Sequence, residues 1–445
     1  MKTSRVLLLW LLIVSAAYIF PDQATATSKN GSDVSGLLSK EVTEPIELTI
    51  AGASGMEIVL EHRFGHLDIR TGQSNRIYVK GEKKLTAKDS RITGEFLSGM
   101  RLIVTERPNR VKIVTEYPDD DDLREKVRNF SISYTIEVPP NVTLNAESSF
   151  GDIDIVDVSG TITISGGYGK ITARTVNGDT SLKNKFGSIQ ASTITGNAII
   201  ANSHGSLDIG QINGNLRAET KFGSLTVNGV KGSAELANEH GRVTCSDISG
   251  DTGITTSFGL AECRIIGGRS TVYNSHGSVR VENVDHDVKI TTSFGKVTAN
   301  TIKGALTVEN QHGSVEAEFV DGDADIRTTF GSVQVDRIGG NVQVTDQHGS
   351  ITALNILQGA SETKRTVRLK TSHASIRVAM PETFSATINV STSFGKIKCD
   401  FPILMNLGNV GMTSSNRSQV NGTVGDGKDT LELEASFANI TIEKI

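Results

Sequence analysis

One interval constrains this chain more than any other property. Aromatic or histidine residues stand at Phe150, Tyr168, Phe186, His204, Phe222, His240, Phe258, His276, Phe294, His312, Phe330 and His348, each 18 residues after the last. Gly follows every one of these anchors, and a second Gly lies ten places after the anchor in ten of the twelve units, His286 and Gln358 being the exceptions. A helical repeat is excluded, because each Gly in a helix interior costs about 1 kcal/mol relative to Ala. Between the glycines apolar residues alternate, as in Leu225 and Val227, then Val230, then Ala234 and Leu236. Period-two alternation specifies a strand with one buried face. Each unit therefore reads as strand, Gly corner, strand, Gly corner. One unit cannot bury its own inner face, whereas stacked units cover one another.

The expected fold is all-β: a parallel β-solenoid, or β-helix, of about twelve 18-residue coils with irregular β caps at both ends. At about 4.8 Å per coil the stack is roughly 55 Å long. Right-handed winding is expected from the general preference of parallel crossovers. The three-residue step from Val227 to Val230 marks a further bend, which leaves two faces or three per coil open. The corners are assigned to Gly because it adopts backbone angles that cost other residues energy.

The anchors alternate in a coupled way. Asn202, Asn238, Asn274, Asn310 or Asp346 stands two places before each His, and Thr220, Thr256, Thr292 or Thr328 two places before Phe222, Phe258, Phe294 and Phe330. The duplicated unit is thus two coils, and the anchors are expected to stack along one corner. Outside the strict period, residues 46–145 read as an N-terminal β cap, 146–360 as the repeat array, and 361–445 as irregular coils and a closing cap. Within the last region Ser372-His373-Ala374-Ser375 and Ser436-Phe437-Ala438-Asn439 repeat the corner motif in altered form, and a Gly, Ser and Asn-rich loop is expected over residues 406–428.

The chain begins with Lys2 and Arg5, an apolar run from Val6 to Ala17, and small residues ending Ala24-Thr25-Ala26. That is the plan of a secretory signal peptide over residues 1–26, followed by a linker over 27–45. A transmembrane helix takes about 20 apolar residues, so no span is expected once this segment is removed. Its removal takes two positive charges and one negative from a net charge of -5. The acidic balance argues against a nucleic-acid partner. Three cysteines are too few for a disulfide framework.

Several residues invite chemistry. His204, His240, His276, His312 and His348 recur every second coil, about 9.6 Å apart, too far to share a metal held by bonds of about 2.1 Å. Corner packing or Asn–His hydrogen bonding is the expected role. Cys245, Cys263 and Cys399 all lie five places after an anchor, in an inward slot, and read as buried free thiols. Asp154, Asp208, Glu262 and Glu316 share an outward slot three coils apart, about 14 Å, beyond the reach of a glycosidase pair. The densest patch is Glu316 and Glu318 beside Asp336, which could hold calcium or an acid–base pair; a solvated charged face is the expected reading. The acidic run Asp119 to Asp122 reads as a solvated loop. Outward Thr172, Thr226, Thr244, Thr298 and Thr352 are interrupted by Glu262, Arg280 and Glu316, which excludes an unbroken Thr face. No catalytic, cofactor-binding or metal residue is assigned.

The entry Val138-Pro139-Pro140-Asn141-Val142-Thr143-Leu144 into Ser149-Phe150-Gly151-Asp152-Ile153, the Phe-Gly-Ser and His-Gly-Ser units, and the exit Ser393-Phe394-Gly395-Lys396-Ile397 with Phe401-Pro402 carry a family resemblance. Over residues 46–445 the chain resembles the bacterial "putative adhesin" family of unknown function built from β-strand repeats. The resemblance implies a stacked β fold and an adhesive role, and brings no catalytic motif. The expected function is that of a non-enzymatic extracytoplasmic surface or envelope protein, located in the periplasm, at the cell surface or secreted. It would present a polar face to an extracellular or envelope ligand, protein or glycan. The alternatives are a glycan-active enzyme using Glu316, Glu318 and Asp336, and a structural or sensory envelope module without adhesive role.

Overall fold

The computed structural model describes residues 41–73, 75–88, 90–357, 363–405 and 418–445; the proposed signal peptide and most of the linker lie outside these. The chain winds as a parallel β-solenoid whose coils repeat at 18 residues. Each coil contributes one strand to each of two sheets, so there are two faces rather than three. One sheet holds strands such as Leu225–Val230, and the other holds strands such as Ala234–His240, which end on the anchors. Every strand lies in register on its copy one coil away, for example Leu225↔Val243 and Leu236↔Ile254. Inward columns consequently stack like on like. Ile212, Val230, Ile248, Ile266, Val284 and Ile302 form one such column, each at most 1 % exposed. Full burial of a side chain of this size contributes about 1.5–3 kcal/mol, and the array repeats it coil after coil.

The three-residue step from Val227 to Val230 is a bulge, not a third face. In every coil one residue there has a left-handed φ: Asp157, Thr175, Thr193, Gln211, Asp247, Ile265, Asn283, Thr301, Phe319, Arg337 and Asn355 lie between 49° and 58°, with Gly229 at 80°. The extra residue resets the alternation so that both Val227 and Val230 point inward. Strands carrying it form what we call the bulged sheet; the others form the anchor sheet.

The two Gly corners differ in their physical cause. Gly259, after its anchor, has φ +124°, and a Cβ there would stand 2.1 Å from the carbonyl oxygen of Gly241. Gly250, at the opposite corner, has no left-handed φ; a Cβ would instead come within 2.7 Å of the Gly232 carbonyl oxygen in the adjacent coil. The expectation that both corners use Gly for its backbone angles holds at the second corner for Gly160 and Gly178, with φ +124° and +151°, and is corrected from Gly196 onward, where close approach between coils crowds a side chain and His286 is the one described residue other than Gly at that position. Beside that corner the side chains form a ladder: Asn197 N–H donates to Asp179 Oδ1 at 2.8 Å, and Asn215 N–H to Asn197 Oδ1 at 2.9 Å.

The ends depart from this order. In the anchor sheet the strand Glu57–Phe64 lies in parallel register with Val142–Phe150, so Phe64-Gly65 supplies an anchor corner that the 18-residue spacing alone does not reveal. After Leu67–Thr71 the chain moves outward and rejoins the array at Val142: Arg110–Glu116 and Val127–Val138 lie parallel on Glu57–Phe64 and Leu67–Thr71, and antiparallel strands beyond them close both sheets. Glu41–Ala51 pairs with Arg76–Ala87 on one, and Arg101–Arg107 with Arg110–Glu116 on the other. Residues 41–45, assigned above to the linker, belong to the first of these strands. The acidic run is partly helical: Asp121–Glu125 form a short helix whose Leu123 N–H donates to Asp120 Oδ1.

At the other end spatial order departs from chain order. Thr366–Thr371 pairs with Asp429–Ala435, which pairs in turn with Ala386–Thr392. The last coil in sequence is thus slotted beneath the one before it. Ser418–Val424 lies antiparallel on Ala386–Thr392 and closes the anchor sheet, so residues 418–424 are strand where a loop was expected. The remaining residues of that expected loop up to 417 lie outside the described residues.

Candidate functional site

The anchors form one continuous ladder. Sixteen rings stack from Phe64 through Phe150 and the twelve-unit array to His373, Phe437 and finally Phe394. Ring centroids are 4.4 Å (Phe330–His348) to 5.3 Å (His373–Phe437) apart, and the rings are parallel to within 15°. Aromatic pairs left to themselves favour offset or edge-to-face contact; strand spacing imposes the parallel arrangement here. Each ring inside the ladder spends both faces on its neighbours. Only ring edges reach solvent, which makes the ladder a poor platform for a stacked ligand despite exposures such as 45 % at Phe222.

The asparagines beside the histidines do not bond the imidazoles. Asn202 Nδ2 donates to Gly187 O at 2.7 Å, Asn238 to Gly223 O at 3.0 Å and Asn274 to Gly259 O at 3.0 Å, pinning the corner of the preceding coil. The Asn–His alternative raised from sequence is thereby replaced by ring packing plus an Asn clamp on the corner carbonyl. Among the described residues there is no group of three or more metal-ligating side chains.

Cys245 and Cys263 are fully buried free thiols on adjacent coils, with sulfurs 2.9 Å apart. Their mutual hydrogen bond, aided by burial, holds the Cys245 thiol well above the usual range. Cys399 departs from the expectation of an inward slot: it is only half-buried, because its strand Ile397–Cys399 is the outermost of the bulged sheet.

Each carboxylate of the patch has its own partner, a cation for Glu316 and Asp336 and a neutral amide for Glu318. Glu318 and Asp336 are register partners on adjacent coils. Glu316, however, pairs with Lys296 at 2.6 Å, Glu318 accepts from Asn300 at 3.3 Å, and Asp336 accepts from Arg337 at 2.7 Å and Asn355 at 3.0 Å. The Arg337 guanidinium also lies 3.9 Å from the Phe319 ring centroid. Elsewhere on the same face Arg264 contacts both Glu262 and Glu282. These charges form a laced surface in which Asp336 is itself buried.

Sequence reasoning missed one feature, a notch in the anchor sheet of about 260 Å³ centred on Gly253 and walled by Tyr273 and Glu219. Its only signal was a Gly standing at an outward strand position rather than at a corner.

No protein-family model and no curated protein matches the sequence. Among solved structures the chain is similar to a "putative cell adhesion protein" from Clostridium sporogenes, with 10 % identity, TM-score 0.17, and coverage of 91 % of this chain and 100 % of that one. It is also similar to a "putative adhesin" from Bacteroides fragilis (11 % identity, TM-score 0.29, 52 % and 97 % covered). A third, a "putative adhesin" from Parabacteroides distasonis, shares 12 % identity with TM-score 0.21 and coverage of 60 % and 97 %. Among the described residues no helix is long and apolar enough to cross a membrane.

Proposed function

We propose that the chain is a non-enzymatic scaffold of adhesin-like fold, exported through cleavage of residues 1–26, which holds a polar face toward a protein or glycan partner outside the cytoplasm. The observation that carries this reading is the in-register stacking of the coils. It fixes outward side chains in straight columns on both sheets, so the surface is preorganised and loses little freedom on binding. The antiparallel strands over the N-terminal end and on the anchor sheet at the C-terminal end interrupt the parallel pattern there, which favours a scaffold of set length over an open-ended fibre. Pairing of Glu316, Glu318 and Asp336 with separate partners favours a surface over an acid–base centre.

The test is fractionation of cells expressing the full chain, sequencing of its N-terminus, and adhesion of those cells to glycan- and protein-coated surfaces. The expected result is a processed chain beginning at Thr27, outside the cytoplasm, that raises adhesion. A cytoplasmic chain with residues 1–26 intact overturns the export reading. Cleavage of a glycan that is lost in the Glu318→Gln, Asp336→Asn double variant transfers the case to an enzyme.

A further inference from the structure

Gly253 lies in the strand Thr252–Phe258 and is paired on both sides, with Glu235 and with Thr271, in unbroken register. It is neither in a bulge nor at a corner. Its φ is outside the left-handed region, and a Cβ added to it would meet nothing within 4 Å. No other glycine within a described strand of the array has that property. Glycine inside a strand weakens it, and the usual reasons for tolerating one are a bulge, a sharp bend or the close approach of another group. The first two are absent here, and nothing among the described residues makes the approach.

The same outward column carries Arg217, Glu235, Thr271 and Lys289 on neighbouring coils, so the missing side chain opens a depression, which the small Ala237 deepens. Its volume of about 260 Å³ falls just below the roughly 300–1,000 Å³ of pockets for drug-sized ligands, a size suited to one sugar ring rather than a long buried oligomer. Tyr273 forms one wall. It is 45 % exposed and makes no ring contact among the described residues, so its faces are not spent on stacking as those of the ladder are. Arg217 and Glu235 pair with each other at 2.7 Å across adjacent coils, while the exposed Glu219 carboxylate has no ion pair among the described residues. Together the three charged groups leave one net negative charge, which repels an acidic ligand.

We infer that this notch is a binding subsite for a neutral sugar ring, an inference that rests on the adhesive reading above. The free Tyr273 face would pack against the apolar C–H face of the ring, and Glu219, the Arg217–Glu235 pair and the Thr271 hydroxyl would hydrogen-bond its hydroxyls.

The test uses the full mature chain and a panel of neutral hexose and N-acetylhexosamine oligosaccharides, with uronic-acid oligosaccharides as the acidic arm, read by calorimetry. The parent is expected to bind at least one neutral sugar. Tyr273→Ala should weaken that binding at least tenfold. Gly253→Thr, which restores the side chain found at Thr271, should abolish it while leaving the thermal midpoint unchanged or raised. Undiminished binding in Gly253→Thr, a preference for the acidic arm, or no sugar binding by a chain that still mediates adhesion each overturns the subsite while leaving the scaffold reading standing. A chain that binds no sugar and mediates no adhesion overturns both.

Discussion

The middle of the array and its two ends are built on different rules. In the middle every residue meets its own copy 18 residues away, as Val227 meets Cys245, and stability is a sum of nearly identical contacts between nearest neighbours. At the ends the partners are remote and unique. Glu57 pairs with Thr143 across the cap excursion, and Thr366 with Thr430 across the reversed final coils. Damage in the middle should therefore stay where it is made, whereas damage at an end should release the whole closure that depends on it.

The largest effect is expected from Gly259→Val. The left-handed φ costs a β-branched residue about 1–3 kcal/mol, and the clash with the Gly241 carbonyl adds an overpacking penalty of similar size. A loss of about 2–6 kcal/mol is expected, read in hydrogen exchange as lost protection over residues 240–280 with distant coils still protected. Glu262→Gln in the next strand should cost under about 0.5 kcal/mol. Equal protection in the two variants, or loss spread evenly along the chain, would break the nearest-neighbour account.

Arg365→Met probes the C-terminal end. Arg365 and Asp429 form a buried pair at 2.9 Å, and Arg365 also donates to Leu357 O at 2.9 Å, tying the break in the coil series to the returning strand Asp429–Ala435. Stranding the buried Asp429 carboxylate should cost about 3–5 kcal/mol. Limited proteolysis should then cut within residues 366–445 while the array resists. Cutting confined to the immediate neighbourhood of residue 365 would show that this end obeys the same local rule as the middle.

The smallest of the three effects concerns acid and the N-terminal end. His62 is buried beside Tyr134, with ring centroids 5.4 Å apart, and its Nε2 lies 3.1 Å from Gly65 O. Burial, with a minor contribution from His66, lowers its pKa from 6.5 to about 4. The unfolded chain therefore binds the proton first. The stability contributed by neutral His62 is full above pH 6.5 and falls as pH drops toward 4, by about 3 kcal/mol. Denaturant midpoints of the parent should fall more steeply over that window than those of His62→Gln. Parallel pH profiles would sink this account.

The array was legible because its signals are local. The alternation of Leu225 and Val227 gave the strand faces, Gly at fixed intervals gave the corners, and the anchors gave the ladder that the stacked rings occupy. The bulge was legible only as a broken alternation, since Thr193, Gln211 and Phe319 carry no common residue type to advertise a left-handed φ. The densest carboxylate patch was found by counting charges along the chain, but the counting could not see Lys296 and Asn300 closing on it from the preceding coil, or Arg337 turning onto its neighbour Asp336. The notch was missed for the opposite reason. Gly253 looked like one more glycine among many, and its meaning lies in the empty space beside it.

Sequence by itself determined the repeat, the inward columns and the stack of rings, because each depends on residues at a constant separation and a parallel sheet turns that constant into contact. Tertiary structure alone decided why the second corner favours Gly beyond Gly178 and where Phe437 sits in the ladder. The Gly250 backbone conformation is ordinary, and only the adjacent coil forbids a side chain there. Phe437 stacks between His373 and Phe394 although it follows both in the chain, because the final strands pair by which edge remains open rather than by their order of synthesis.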